Sequence, residues 1–383
     1  MNILFIGKDH TNYDSKSHEI GVAEIMAKEG NKVTLLVDRM PKFERDKIPK
    51  KMRIFPMPLN TGPFIKYFFG IYKRLTEEHL KPIDKIAKKE EFDVIFSSAA
   101  SGAELVYKLK KRYNCKSSVV QVLDLPVWLL NSRNPKDRFI YRYYWKRWLP
   151  YILKADKVVV SNNVTEEDFP RVLKDLKIKY RKIPEIFVVN YGIIIELMNK
   201  IPNQKKRNQM IFVSRLVKHK GVDLLIRAAA LAKNPPKLVI VGDGNQRKFL
   251  EKLAIKKGID VVFRGALSNR DKIIEIKRSK FSIYTSTTEQ IAGLFPIESL
   301  YCKTPCICFD IRILRDLYGR FVEYVPKYDV TALANKIDEL NSNKAYRKKH
   351  EKEGKIFVKN NLTTEIHAKQ ISKIFKELKY EQK

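Results

Sequence analysis

A chain of 383 residues is longer than a single hydrophobic core usually grows, so two α/β domains are expected. Hydrophobic content of 44% beside 31% charged and 11% aromatic residues excludes a disordered, fibrous or membrane-embedded polypeptide. Seventy-six Lys and Arg against 43 Asp and Glu leave a formal net charge of +33, which favours anionic partners (phospholipid head groups, phosphorylated substrates or nucleic acid) without choosing among them.

The opening MNILFIGKDH carries no basic stretch before its apolar run and meets Lys8 and Asp9 too soon for a signal peptide, so it reads as a first strand. Short β-branched runs then alternate with amphipathic stretches: NKVTLLV, FDVIFSS, SSVVQVL and DKVVVS in the first half, then QMIFVSR, KLVIVGDG, IDVVFRG, FSIYTS and PCICFD in the second. This alternation predicts parallel sheets with crossover helices, and its recurrence predicts two doubly wound Rossmann-like domains. The polar, basic KIPNQKKRNQ at 200–209 reads as the linker, giving an N-terminal domain at 1–199 and a C-terminal domain at 200–362. The segment 363–383 opens with capping residues and continues with Ile366, Ile371, Ile374, Phe375 and Leu378 at helical spacing, which predicts a terminal helix that packs back onto the first domain. No apolar run is long enough to span a bilayer, so any membrane contact is expected to be peripheral. Cys115, Cys302, Cys306 and Cys308 lack a neighbouring His to complete a metal site, so buried thiols in a reduced, cytoplasmic setting are expected.

Three segments of the second half carry chemistry. In IFVSRLVKHKGVDLLIRAAALA, Arg215 and Lys220 lie in a basic loop between strand and helix, where a diphosphate would meet both cations and free backbone N–H groups. In KLVIVGDGNQRKFLEKL, Gly242 and Gly244 permit a tight turn close to a ligand. In FSIYTSTTEQIAGLFPIESLYCKTPCICFD, Glu289 sits in a loop, and Gly293, Leu294, Phe295, Pro296 and Glu298 open a helix. Singly, each pattern also suits a solvated loop, an ordinary α/β turn or a helix cap.

In this order, SRLVKHKGVDLLIRA, LVIVGDG, VVFRGALS and GLFPIESLYCKTPCICFD resemble the family 4 retaining glycosyltransferases of GT-B fold, over residues 211–310. The resemblance implies two Rossmann-like domains facing a cleft and a UDP- or GDP-linked sugar as co-substrate, with no further cofactor. Arg215 and Lys220 are then the pair that neutralises the leaving diphosphate, Glu298 binds the ribose hydroxyls, the backbone near Arg264 borders the base, and Glu289 binds sugar hydroxyls. It also implies retention at the anomeric carbon, with the departing phosphate as base. One departure is that eight residues lie between Glu289 and Glu298, where the family has seven. Another is DIRILRDLYG, which lacks the family's paired glycines. The N-terminal half matches in outline only. Gly7 and Gly21 are far apart, and VLDLP keeps Asp124 as a candidate for sugar or acceptor contact but has Leu123 where the family has His. His10 and His18 are expected as solvated loop residues. With no Asp-x-Asp in the chain, no metal is expected to balance the diphosphate.

Two aromatic and basic segments of the first half bear on the acceptor. RFIYRYYWKRWLPYI places Tyr141, Trp145 and Trp148 on one helical face and Arg138, Arg142 and Lys146 on another. GPFIKYFFGIYKRL crowds Phe64, Phe68 and Phe69 beside Lys73 and Arg74. The aromatic face of the first is expected to pack into the core with its basic face wet, as amphipathic helices usually do; the alternative, which the second segment also suits, is contact with an anionic membrane bearing a lipid-linked glycan acceptor. A protein peripheral to the cytosolic face of the membrane is expected. A soluble acceptor and an inactive subunit stand as alternatives. A nucleic-acid-binding role is not expected, because the basic residues are dispersed and no module signature occurs.

Overall fold

The computed structural model describes residues 1–7, 17–37, 48–57, 77–123, 125, 135–288 and 293–381. They form two compact units, 1–192 with 364–383, and 193–363. The division falls at Gly192 and Ile193, ahead of the predicted linker. The segment 200–208 is docked on the second unit rather than free: Lys206 Nζ donates to the carbonyls of Ser279 and Lys303 and to Thr304 Oγ1, at 2.7, 2.9 and 3.0 Å. Its polar composition reflects a buried cation satisfied by carbonyls, a pattern that composition alone does not separate from a flexible tether.

In the first unit, strands β1 (Asn2–Ile6), β2 (Lys32–Val37), β3 (Met52–Pro56), β4 (Val94–Ser97), β5 (Ser117–Val122), β6 (Lys157–Val160) and β7 (Glu185–Val188) form a parallel sheet in the order β3-β2-β1-β4-β5-β6-β7. Successive side chains of each strand enter different cores. Leu4, Ile6, Ile95, Val120 and Val158 face one, and Ile3, Phe5, Phe96, Val119 and Val159 the other. A sheet covered on both faces requires near-continuous apolar strands, which is how these read. Helices α1 (His18–Lys28), α2 (Glu77–Ala87), α3 (Ala103–Arg112), α4 (Pro135–Ile152) and α5 (Asn163–Asp175) belong to this unit.

In the second unit, β8 (Gln209–Val213), β9 (Lys237–Val241), β10 (Val261–Gly265), β11 (Phe281–Tyr284), β12 (Cys306–Phe309) and β13 (Glu323–Val325) form a parallel sheet ordered β10-β9-β8-β11-β12-β13. Its helices are α6 (Glu196–Lys200), α7 (Val222–Leu231), α8 (Arg247–Lys257), α9 (Asn269–Arg278), α10 (Leu294–Tyr301), α11 (Arg312–Tyr318), α12 (Val330–Ser342) and α13 (Lys344–Asn361). The strand order reverses between β8 and β11. At such a switch point the loops at the carboxyl ends of the two strands diverge to opposite faces and leave a crevice for a ligand.

The last helix, α14 (Thr364–Tyr380), returns to the first unit, where it packs on α1. Ala368, Ile371, Ile374, Phe375 and Leu378 join the core formed by Ile20, Ala23 and Ala27, and the Phe375 ring lies 5.5 Å from that of Phe96. Phe375→Ala should therefore cost the first unit about 3–5 kcal/mol, the usual range for emptying a buried phenylalanine site. All three tryptophans (Trp128, Trp145, Trp148) lie in that unit's sequence, so fluorescence-detected urea unfolding reports it. A loss below about 1 kcal/mol would contradict α14 as part of its core.

Candidate functional site

The basic loop predicted from sequence leaves β8 at the switch point and is gripped from both sides. On one side, a β-carbon at Gly242 would stand 1.9 Å from the Ser214 carbonyl oxygen, and one at Gly244 would stand 2.4 Å from that of Leu216. Leu216 N donates to the Asp243 carbonyl at 2.9 Å and Gln246 N to that of Leu216 at 3.0 Å. These glycines are thus required by contact between two loops. On the other side, Gly221 has φ +63°, and a β-carbon there would fall 2.3 Å from the Thr285 carbonyl oxygen. Thr285 Oγ1 donates to the Lys220 carbonyl at 2.9 Å and Thr287 N to that of His219, also at 2.9 Å. Residues 214–221 are therefore positioned by the ends of β9 and β11.

This placement concentrates positive charge. Lys220 is only 9% exposed. Burial, with a smaller contribution from the like charge of Arg215, brings its ammonium pKa down to about 8. Burial acts first on His219 too, followed by Lys220 and Arg215, and together they hold its imidazole near 4 and uncharged. Arg215 itself is exposed. Among the described residues no carboxylate pairs with Lys220. Its Nζ donates instead to the Tyr284 hydroxyl at 3.3 Å and lies 5.4 Å from the centre of that ring. A buried ammonium without a counter-ion is a standing cost that a bound anion removes.

The start of α10 adjoins the same hydroxyl. Gly293, at φ +74° and ψ +140°, caps α10 without any side-chain hydrogen bond, so the first-turn amides carry no capping acceptor. A β-carbon on Gly293 would come within 2.6 Å of Tyr284 Oη, and the Tyr318 hydroxyl donates to the Gly293 carbonyl at 2.9 Å. One tyrosine oxygen thus lies beside both a cation and a helix N-terminus without a side-chain cap among the described residues, the two elements that stabilise phosphate. Phe295 and Pro296 are buried behind this turn, whereas Leu294 is exposed.

Glu298 lies one turn further along α10. Its Oε1 accepts from Lys272 Nζ of α9 at 2.7 Å, with the two side chains 13% and 19% exposed. Its second oxygen has no hydrogen-bond partner among the described residues, which leaves it an acceptor for a ligand hydroxyl. Arg264 sits on β10 and contacts Glu275 of α9 at 3.6 Å, one turn from Lys272. Tyr284 and Lys272 were not singled out in the sequence. An aromatic ending a buried strand looks like core, and a lysine on an amphipathic helix looks solvated. Glu289 and Asp124 lie outside the described residues, as do His10, Phe64, Phe68, Phe69, Lys73 and Arg74.

On α4 in the first unit, the aromatic face packs inward as expected of an amphipathic helix, which corrects Trp145 as a membrane candidate. Tyr141 and Trp145 are core residues, 1% and 4% exposed, because that face of α4 covers the sheet. Arg138, Arg142 and Lys146 remain exposed, with Phe139 stacked on Tyr143 and half-buried Trp148 on Tyr144. Between α3 and α4 an open cavity of about 480 Å³ is lined by Glu104, Tyr143, Lys146, Arg147 and Tyr151. His18 is also corrected, being the first residue of α1 rather than a solvated loop residue. It stacks on Tyr191 at 3.8 Å, meets Thr364 Oγ1 at 3.2 Å, and is kept well below its ordinary pKa by burial. The four cysteines are buried and unpaired as disulfides. No helix among the described residues is long and apolar enough to cross a membrane.

Residues 194–382 match the family model for glycosyl transferases group 1. No curated protein sequence matches the chain. Among solved structures, it is similar to sucrose-phosphate synthase from Thermosynechococcus elongatus, with a TM-score of 0.75, 18% identity and 99% of both chains covered. A glycosyltransferase from Rickettsia africae ESF-5 superposes with a TM-score of 0.70 at 19% identity over 98% of both chains. The Anabaena protein HepE, solved with UDP and glucose, gives 0.69 at 16% identity over 98% of this chain and 100% of that one. Such identities speak for shared fold, here the GT-B fold of two parallel α/β units. Through residues 194–382, the chain belongs to the glycosyl transferases group 1 family.

Proposed function

We propose that this glycosyltransferase moves a hexose from a UDP- or GDP-linked donor to an acceptor with retention of configuration, using the loop ends of the second unit as its donor site. The observation that carries this is the buried Lys220 ammonium, without a carboxylate partner among the described residues, beside the uncapped N-terminus of α10. In the proposed reaction the bond from the anomeric carbon to the diphosphate breaks while one to the acceptor oxygen forms on the same face. The acceptor proton passes to a departing phosphate oxygen. Charge that develops on the diphosphate is met by Lys220, Arg215 and the α10 amides, groups already oriented before reaction, so no metal ion is required. Glu298, held by Lys272, receives the ribose hydroxyls, and the backbone near Arg264 borders the base. Glu289 and Asp124 are proposed to contact the sugar or acceptor.

For the acceptor, the cationic and aromatic outer face of α4 supports a lipid-linked glycan on an anionic membrane, with the protein peripheral to its cytosolic face. The net charge of +33 supports the same reading. A soluble acceptor is the second reading, favoured by the likeness in fold to an enzyme named for making sucrose phosphate.

Calorimetric titration with UDP and GDP tests the donor site. Lys220→Ala should weaken the preferred nucleotide about 10–100-fold, as expected for a charge-assisted hydrogen bond, and Glu298→Ala about tenfold. Equal affinity in wild type and both variants would refute the assignment. Sedimentation with vesicles tests the surface. Replacing Arg138, Arg142 and Lys146 together by Gln should lower partitioning onto phosphatidylserine vesicles about 100-fold, from about 1 kcal/mol per cation, and leave neutral vesicles unaffected. Undiminished binding of the triple variant would remove α4 from the membrane reading.

A further inference from the structure

We infer that Tyr284 is a positioning residue of the donor site, its hydroxyl fixing the Lys220 ammonium against the N-terminus of α10. This deepens the donor-site proposal and rests on it.

The geometry is unusually constrained. Tyr284 ends β11 and is 3% exposed, so its ring cannot turn away without opening the core. Its Oη accepts from Lys220 Nζ at 3.3 Å and packs where a β-carbon of residue 293 would otherwise stand, 2.6 Å away. Only a glycine at position 293 leaves room for the tyrosine oxygen. The same turn is braced from behind by Tyr318 through the Gly293 carbonyl. A lysine side chain has four rotatable carbon–carbon bonds, and a flexible ammonium loses entropy when an anion captures it. A partner that already holds the ammonium in place lowers that cost.

A neutral acceptor suits this task better than a carboxylate would. An aspartate or glutamate in place of Tyr284 would hold Lys220 more strongly but would cancel the charge that a diphosphate needs. A phenol oxygen directs the ammonium and leaves its charge uncompensated. It also supports the charged form, because replacing the hydroxyl by hydrogen removes one acceptor from a buried N–H donor.

The surrounding groups isolate this titration. On the same segment His219 is uncharged above about pH 4, and the guanidinium of Arg215 lies beside it. Burial pushes the phenols of Tyr284 and of Tyr318 on α11 upward, and likewise the Cys308 thiol on β12. Cys306, also on β12, completes the titratable groups that face Tyr284 among the described residues. Lys220, at about 8, is the group of the loop that loses charge in the mildly alkaline range. Since a diphosphate binds the charged form, affinity should fall as pH rises through that value, above the range, about pH 6, in which the terminal phosphate of the nucleotide itself titrates.

The test is calorimetric UDP and GDP binding to wild type and Tyr284→Phe from pH 6.5 to 9.5, with thermal unfolding recorded alongside. In Tyr284→Phe the break should move about one unit to lower pH, and affinity at pH 7.5 should fall about tenfold, the worth of a hydrogen bond to a charged group. Wild-type binding with a superimposable Tyr284→Phe profile overturns the role of Tyr284 alone. So does a lowered melting temperature with an unmoved break, which marks a purely structural residue. Failure of wild type to bind either nucleotide at any pH overturns the donor-site proposal and the role of Tyr284 with it.

Discussion

Backbone contact between neighbouring loops at the carboxyl ends of β8, β9 and β11 is the constraint on which the candidate site depends. Gly221, Gly242 and Gly244 each face a carbonyl oxygen at a distance that excludes a β-carbon. The loop bearing Arg215 and Lys220 consequently has little freedom, and its cations are presented by a rigid frame rather than by mobile surface side chains. Rigidity of this kind is what allows a buried ammonium to persist without a carboxylate partner among the described residues, since the cost is carried by the packing of two strand ends. A parallel sheet supplies it naturally, because all its carboxyl-end loops emerge on one edge.

The central strands of both sheets were legible because each is buried on two faces and reads as a continuous apolar run. The strands that sequence reasoning did not separate, β3, β7 and β13, all lie at sheet edges. They are half-exposed, so their side chains mix polar with apolar and carry no clear period. At the site, the charged members Arg215, Lys220 and Glu298 were legible through the family resemblance of the segments that carry them, since each pattern alone also suits a solvated loop or a helix cap. Their partners were not. Tyr284 matters through one oxygen on a side chain otherwise spent on the core, and Lys272 through a contact between two helices distant in sequence. Neither property leaves a local trace.

The first unit illustrates the same division. The terminal helix was legible from its apolar spacing, and the structure adds that its core face meets α1 and Phe96. On α4, the face richest in aromatics turned out to be the one that covers the sheet. The cations read as its wet face remain outside, joined by Phe139, which is 56% exposed. Composition could not assign those aromatics, because burial in a core and burial in a lipid interface select the same residue types. His18 differs from expectation for a related reason, as stacking on Tyr191 hides an imidazole that sequence position alone would put in water.

The central claim is that the loop ends of the second unit form a diphosphate site, and the most direct measurement is a crystal structure of the protein soaked with UDP or GDP. Difference density for the diphosphate is expected within hydrogen-bond distance of Lys220 Nζ and the Leu294 and Phe295 amides, with ribose hydroxyls on Glu298. An ordered nucleotide bound elsewhere on the chain, with Lys220 still directed only at Tyr284, would contradict it.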